Sequence, residues 1–210
     1  MNAPESPAAY WDQRYEAVEE LWPRAPNVFL AKLAASLAPG RALDLGAGEG
    51  RNAIWLAKRG WRVTALDVSA VALGRAAQRA AEEGVDLDCV EADWREYRPG
   101  APLELAIISF MHPEPGERPS MFERAGEALA PGGHLFVTGV DLADHGRRGP
   151  PDAERLHTPQ RLRRALRGFD LLRCESVAHE TEDRQGRRSV VDVVAIATSP
   201  GPKPGAPNPR

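Results

Sequence analysis

Short apolar runs alternate with amphipathic stretches along this chain, and the pattern predicts a regular succession of strands and helices. Trp11, Tyr15, Val18 and Leu21 recur at three- and four-residue spacing, which predicts a helix over residues 8–21. After "WPRAP" a second helix is expected from about Asn27 to Leu37, closed by "APG". "RALDLG" reads as a short strand entering a glycine turn, "RNAIWLAKRG" as a helix ending at Gly60, and "WRVTALD" as the next strand. Ser69 caps a long alanine-rich helix that runs to Gly84. "DLDCVEAD" gives a third strand, and "LELAIISF" a fourth whose near-continuous apolar run is that of a strand covered on both faces. A helix over residues 118–129 stops at "APGG", before a fifth strand, "HLFVTGV". Strands alternating with helices in this way predict an α/β fold with a parallel, doubly wound sheet.

The rhythm breaks near the C-terminus. Residues 141–157 read as a polar loop, followed by a helix from about Pro159 to Arg167. Two β-rich runs, "FDLLRCESVAHE" and "RSVVDVVAIAT", flank "TEDRQG" and predict a hairpin. From Pro200 onward there are five prolines and two glycines in eleven residues, so residues 200–210 are expected to be a disordered tail.

Composition narrows the function classes. With 210 residues, 42% of them hydrophobic, the chain supports one ordinary domain with an ample core. No apolar run approaches the roughly 20 residues that span a bilayer, and the N-terminus lacks the basic and apolar regions of a secretory signal. A cytoplasmic protein with no membrane role is expected, with Cys89 and Cys174 as reduced, buried thiols. A net charge of −3 gives no reason to expect a nucleic-acid partner. Arginine outnumbers lysine 24 to three, and Arg147–Arg188 carries eleven arginines against seven acids. That excess is either a set of solvated faces or an anion-attracting rim.

The turn "DLGAGEGRN" carries the chemistry. A dinucleotide fingerprint, G-x-G-x-x-G counted from Gly46, requires its third glycine at position 51, which is Arg51. Asp44 lies on the strand before the turn, where a carboxylate repels a pyrophosphate but suits an ammonium. Asp67 ends the second strand, where an acid grips ribose hydroxyls. Asp93, followed by Trp94, ends the third, where a carboxylate can accept from an adenine amino group. The implied ligand has a cation at one end, a ribose in the middle and adenine at the other: S-adenosylmethionine, with S-adenosylhomocysteine as product.

"ALDLGAGEGRNAIWLA", "VTALDVS", "EADW" and "LAPGGHLFVTG" resemble the successive motifs of class I methyltransferases, over roughly residues 41–140. The resemblance implies a Rossmann-like seven-stranded sheet of order 3-2-1-4-5-7-6 with strand 7 antiparallel, which accounts for the hairpin. It implies that Gly46, Ala47 and Gly48, with Arg51 and Asn52 beside them, hold the methionine part of the donor. Asp67 and Val68 would flank the ribose and adenine; Ala92, Asp93 and Trp94 the adenine; and Ser109 completes the expected donor contacts. The N-terminal "YWDQRYEAVEELWPRAPNVFL" is similar to the covering segment of the thiopurine and tellurite-resistance methyltransferases. Residues 1–26 are therefore expected to form a lid over a catalytic domain at 27–199.

The acceptor is read by exclusion. "SFMHPEP" is not the Asn/Asp-Pro-Pro-aromatic motif of amino-group methylation, and Ser109, Phe110, Met111 and His112 offer no carboxylates for magnesium, so no metal is expected. No large substrate domain is expected. A small-molecule acceptor follows, handled by a monomer or homodimer. A soft sulfur, selenium or tellurium nucleophile needs little base, whereas a hydroxyl needs one, and only His112 and His179 could serve. "GEGRNAIWLA" and the C-terminal run from Leu162 resemble the tellurite-resistance group, with Glu180 where that group tends to place Arg. The expected catalytic residues are His179 and Tyr15, and the expected acceptor contacts are Trp11, Tyr15, His112 and Arg188. Trp22 is expected only to pack the lid. Small-molecule O-methylation and an RNA-modifying or accessory role for the arginine-rich face are the alternatives.

Overall fold

The computed structural model describes residues 6–183 and 186–200. The expected tail at 201–210 and the tip of the expected hairpin loop lie outside the described residues. Seven strands form one sheet: β1 (Arg41–Leu45), β2 (Arg62–Asp67), β3 (Asp88–Glu91), β4 (Leu103–Ser109), β5 (Leu129–Val140), β6 (Asp170–Asp183) and β7 (Gly186–Thr198). Their order is β3-β2-β1-β4-β5-β7-β6, with β7 antiparallel to both neighbours, as expected. Six helices join them: α1 (Pro7–Glu16), α2 (Val28–Ala34), α3 (Arg51–Ala57), α4 (Ala70–Glu82), α5 (Arg118–Glu127) and α6 (Pro159–Ala165).

The apolar run of β4 is explained by helices on both faces of the sheet. Ala106 and Ile108 pack into one core with Met121 and Phe122 of α5 and Leu162 of α6. Leu105 and Ile107 point the other way, into a core with Phe29, Leu30, Leu56 and Leu73 from α2, α3 and α4. Alternating residues enter opposite cores, so polar positions are nearly excluded.

Two elements differ from expectation. The first helix ends at Glu16 rather than running to residue 21, and residues 17–26 form an irregular strap. The Leu21 and Trp22 amides donate to the Glu49 carboxylate (3.1 and 3.2 Å) instead of to helical carbonyls. The fifth strand begins at Leu129, not His134, because Leu129 pairs with Leu103 before a register shift. Within 141–157, two short 3₁₀ turns and a bridge from Asp141 to His157 give order to the expected loop.

Candidate functional site

In an open α/β sheet the crevice lies past the carboxyl ends of the strands where the strand order reverses. Here that point is between β1 and β4, and it collects the glycine turn, Asp67, Asp93 and Ser109. Gly46, Gly48 and Gly50 have φ of +66°, +54° and +79°, a backbone region that side chains disfavour. Each also fits a contact. A Cβ on Gly46 would lie 2.7 Å from Met111, one on Gly48 2.6 Å from the Tyr15 hydroxyl, and one on Gly50 2.9 Å from Ala76 of α4. Gly50 thus permits the close helix approach that the dinucleotide fingerprint assigns to a glycine one position later.

Asp44 sits beneath this turn, 1% exposed, with the Ala53 backbone amide as its nearest donor and no bond of full hydrogen-bond geometry to either carboxylate oxygen. Burial pushes its pKa up to about 7, opposed by the nearby Arg51 charge and reinforced by Asp67. A buried carboxylate this thinly partnered is costly, and a cationic ligand group would relieve it. Ser109 Oγ, at the end of β4, is likewise buried without a partner. Burial also raises Asp67, whose Oδ2 accepts from the Gly48 amide (2.8 Å) and Oδ1 from the Ser69 amide (3.0 Å). Both oxygens keep lone pairs for ribose hydroxyls. Val68 follows Asp67, and the Ala92 amide donates to the Asp67 carbonyl (3.0 Å), joining the ends of β2 and β3. Asp93 is drawn into an ion pair with Arg95 (2.6 Å), which also pairs with Glu117 and covers the Trp94 ring at 4.8 Å. Its carboxylate would be shared with an adenine rather than wholly free.

The N-terminal segment is fastened over this crevice. Asp12 accepts from the Ser69 hydroxyl (2.6 Å) and the Val71 amide (3.2 Å) at the start of α4. Glu49 is 2% exposed; besides the two strap amides it accepts from Arg75 (3.2 Å) and Arg79 (3.3 Å). Asn52 Oδ1 accepts from the Asn27 amide (2.9 Å), while the Asn27 side chain caps α2, so the Asn52 oxygen holds the end of the strap. The Tyr15 hydroxyl accepts from Trp22 Nε1 (3.1 Å), and burial pushes its ionisation well above the ordinary tyrosine range. Trp22 lines the crevice with Tyr15. Trp11 instead packs on Tyr10 and Tyr15, at ring distances of 5.4 and 6.2 Å, and is not among the residues lining the crevice. Trp22, expected only to pack the lid, thus lines the crevice, while Trp11, expected at the acceptor, packs beside it. The crevice beneath the strap encloses about 60 Å³, against the roughly 300 Å³ at which small-molecule sites begin.

Past β4, Phe110 takes φ +59°, the one positive value among the described non-glycine residues, and its ring faces Arg51 (5.4 Å) and Arg148 (6.0 Å). Arg148 bridges Asp144 (3.1 Å) and Asp192 (2.8 Å). Asp192 also contacts His179 Nε2 (2.9 Å), while His179 Nδ1 lies 3.2 Å from the Glu180 carbonyl and the ring stands edge-on to Phe29. Arg51 makes no ion pair within 4 Å among the described residues, and burial pushes its pKa down against the pull of Asp44 and Asp192.

His112 does not present a free nitrogen. Its Nε2 accepts from the Val140 amide (3.4 Å), so Nδ1 carries the proton and donates to the Arg155 carbonyl (3.3 Å). It stacks on the fully buried His157, and burial lowers its pKa to about 4. Arg188 sits on β7 opposite Thr181, away from the residues lining the crevice. Of the expected acceptor contacts, only Tyr15 meets the donor elements at the crevice.

Sequence reasoning passed over Asp12, Glu49, Phe110, Arg148 and Asp192. An acid inside the glycine turn was the available signal for Glu49; Asp12 carried none. The arginine-rich segment is largely consumed internally. Arg161, joined by Arg118 of α5, donates to carbonyls of residues 153–156, Arg155 to His112 O, Arg163 to Cys174 O, and Arg148 pairs with two buried acids. Cys89 and Cys174 are unbridged; Cys174 is buried as expected, whereas Cys89, on the edge strand β3, is only half-buried. Among the described residues, no helix is long and apolar enough to cross a membrane, and no three His, Cys, Asp or Glu side chains gather as a metal site.

Residues 42–133 match the model of a methyltransferase domain family. The chain is 29% identical over 173 residues to hemagglutinin 1 of Eikenella corrodens, covering 79% of this chain and 57% of that protein. It is 29% identical over 154 residues to the probable thiol methyltransferase 2 of Arabidopsis thaliana, covering 70% and 68%. A solved structure from work on the conversion of a disulfide bond into a thioacetal group during echinomycin biosynthesis superposes with a TM-score of 0.76 at 20% identity, covering 92% of this chain and 93% of that one. The chain spans about half the length of several curated relatives that it matches. Residues 42–133, on a sheet of this strand order and with Asp44 under a three-glycine turn, are a methyltransferase domain of the S-adenosylmethionine-dependent kind.

Proposed function

We propose that this chain transfers the methyl group of S-adenosylmethionine to a small, soft anionic nucleophile: a thiolate, or an oxyanion of selenium or tellurium. S-adenosylmethionine supplies a methyl carbon already activated on a sulfonium. Asp44 takes its ammonium, the Gly46–Gly48 turn lies along the methionine part, Asp67 takes the ribose hydroxyls, and Asp93 with Trp94 borders the adenine. The strap excludes water and aligns the nucleophile, and such positioning can supply roughly 7–11 kcal/mol.

The observation that supports the acceptor class is the group of side chains past β4, which here takes Arg51 and Ser109 from the donor contacts expected of them. Arg51 is a desolvated cation without an ion pair among the described residues, beside Phe110 and the unpartnered Ser109 hydroxyl. Both nitrogens of His112 and both of His179 already face backbone or carboxylate groups. A cation without a free base suits a nucleophile that arrives as an anion and disfavours a neutral hydroxyl. The relative named as a probable thiol methyltransferase supports the same choice.

The test is a mass-spectrometric screen with a trideuteromethyl donor, run in excess EDTA, against thiols, selenite, tellurite and phenols. Labelled products are expected from the thiols and the selenium or tellurium oxyanions, and none from phenols. Product from phenols alone, or activity that returns only with Mg²⁺, overturns the proposal. So does labelling confined to RNA.

A further inference from the structure

A second, larger cavity adjoins the donor crevice. It encloses about 310 Å³ between the strap, the outer face of α3 and the C-terminal half of α4, and shares Glu49, Arg51 and Arg79 with the crevice. None of its lining residues comes from the end of β4, so an occupant there does not face Ser109 or Phe110 and is not the methyl acceptor. Its wall carries five cations against two acids, Glu49 and Glu83. Glu49 is committed to the strap amides, Arg75 and Arg79. Two of the other cations, Lys58 and Arg24, are loosely held. Lys58 pairs with Glu83 (2.7 Å) with both side chains more than one-third exposed, and Arg24 pairs with Glu20 from a largely exposed position. Exposed pairs of this kind exchange readily for another anion. Trp55 offers a flat apolar surface, with the Arg59 guanidinium already stacked 3.6 Å from the ring centroid. The volume is that at which small-molecule sites begin, roughly 300 Å³.

We propose that this cavity is an effector site for a small organic anion: a phosphate, sulfate or carboxylate on a flat apolar body. The anionic end lies between Lys58 on α3 and Arg24 on the strap, and the flat body on Trp55. A ligand in contact with both elements ties the strap to α3. It thereby slows strap opening and the exchange of donor beneath it. The regulatory half of this proposal rests on the strap covering the donor; the binding half does not.

Phenyl phosphate is the probe, titrated by calorimetry into the full-length protein and followed at the Trp55 indole N–H by NMR. It is expected to bind saturably, at least tenfold more tightly than inorganic phosphate, while neutral benzyl alcohol does not bind. Trp55→Ala and Lys58→Glu should each weaken it at least tenfold and leave S-adenosylhomocysteine affinity within twofold. Lys58 is exposed, so that variant keeps the test readable if Trp55→Ala fails to fold. Amide exchange over residues 20–26 should slow with the probe present. Absence of saturable binding, unchanged affinity in Lys58→Glu, or stoichiometric displacement of the probe by S-adenosylhomocysteine overturns the site. Binding without slowed exchange overturns its regulatory role. None of these readouts depends on methyl transfer, so failure here and failure of the acceptor assignment are distinguishable.

Discussion

Asp12, on the first helix, accepts a 2.6 Å hydrogen bond from the hydroxyl of Ser69, the residue whose own amide holds Asp67. The N-terminal segment is therefore latched at the start of α4 by Asp12 and at the glycine turn by Glu49. Each latch is a carboxylate receiving backbone amides at the start of α4 or within the strap.

With the latched crevice enclosing only about 60 Å³, the proposed donor site calls for a strap that lifts to admit donor and closes for transfer. Glu49→Ala removes two charge-assisted bonds to strap amides, each worth roughly 1.5–3 kcal/mol. Amide exchange over residues 17–26 should accelerate, and donor affinity should fall at least tenfold. Truncation of residues 1–24 should leave a folded protein without methyl transfer. A truncated protein of full activity would reduce the segment to packing.

Asp67→Ala should weaken S-adenosylhomocysteine binding at least tenfold by calorimetry. The variant loses the ribose contacts and also the bonds from Gly48 and Ser69 that shape the turn. Asp67→Asn separates the two effects, since its amide oxygen can still accept from one of those backbone groups. It should recover melting temperature more than affinity. Equal affinity in wild type and Asp67→Ala would remove the ribose role.

The sheet was legible because its grammar is local. Apolar alternation, Ser69 as a cap and the glycine turn each depend on a few consecutive residues, and those elements fell where the pattern placed them. The candidate donor residues could be placed for a related reason: Asp44, Asp67 and Asp93 lie towards strand ends, and the fold brings strand ends together. The acceptor wall could not. Phe110 matters through a positive φ, Asp192 through contacts with Arg148 and His179 from distant segments, and Glu49 through amides 27 and 28 positions away. His112 looked like a base because sequence shows a residue type and not the amide and carbonyl that occupy its nitrogens.

Donor binding should release a proton near neutrality. Asp44 sits at about 7 in the fold against an ordinary 3.8, so below pH 7 it is neutral, and pairing with an ammonium must expel its proton. Affinity for S-adenosylhomocysteine should rise with pH up to about 7 and then level. Calorimetry at pH 6 in buffers of different ionisation enthalpy reads the released proton directly. Without ligand the same group is a burden: its stabilising contribution is present below 3.8 and lost as pH rises through about 7. Asp44→Asn should therefore be more stable than wild type at pH 8, yet bind donor at least tenfold less tightly with no proton release in this window. Proton-neutral binding by the wild type would show that Asp44 does not meet the ammonium.

The stacked pair His112 and His157 should make the fold acid-sensitive in the opposite sense. His112 titrates at about 4 in the fold against an ordinary 6.5, and burial lowers His157 as well. As pH falls from 6.5 the unfolded chain takes up protons that the native pair refuses, so stability is present above 6.5 and lost towards 4. For His112 alone the span corresponds to about 3 kcal/mol. Asp44 gains stability over the same window, so the two trends mask each other in the wild type. The measurement belongs in the Asp44→Asn background, by urea unfolding between pH 4 and 7. His112→Gln is the informative partner, since its amide can accept from the Val140 amide and donate to the Arg155 carbonyl without titrating. The double variant should lose less stability on acidification than Asp44→Asn alone, and in an otherwise wild-type chain His112→Gln should leave the pH profile of kcat unchanged. Equal acid slopes would mean that the pair accepts a proton inside the fold, and a shifted kcat profile would return His112 to the reaction as a base.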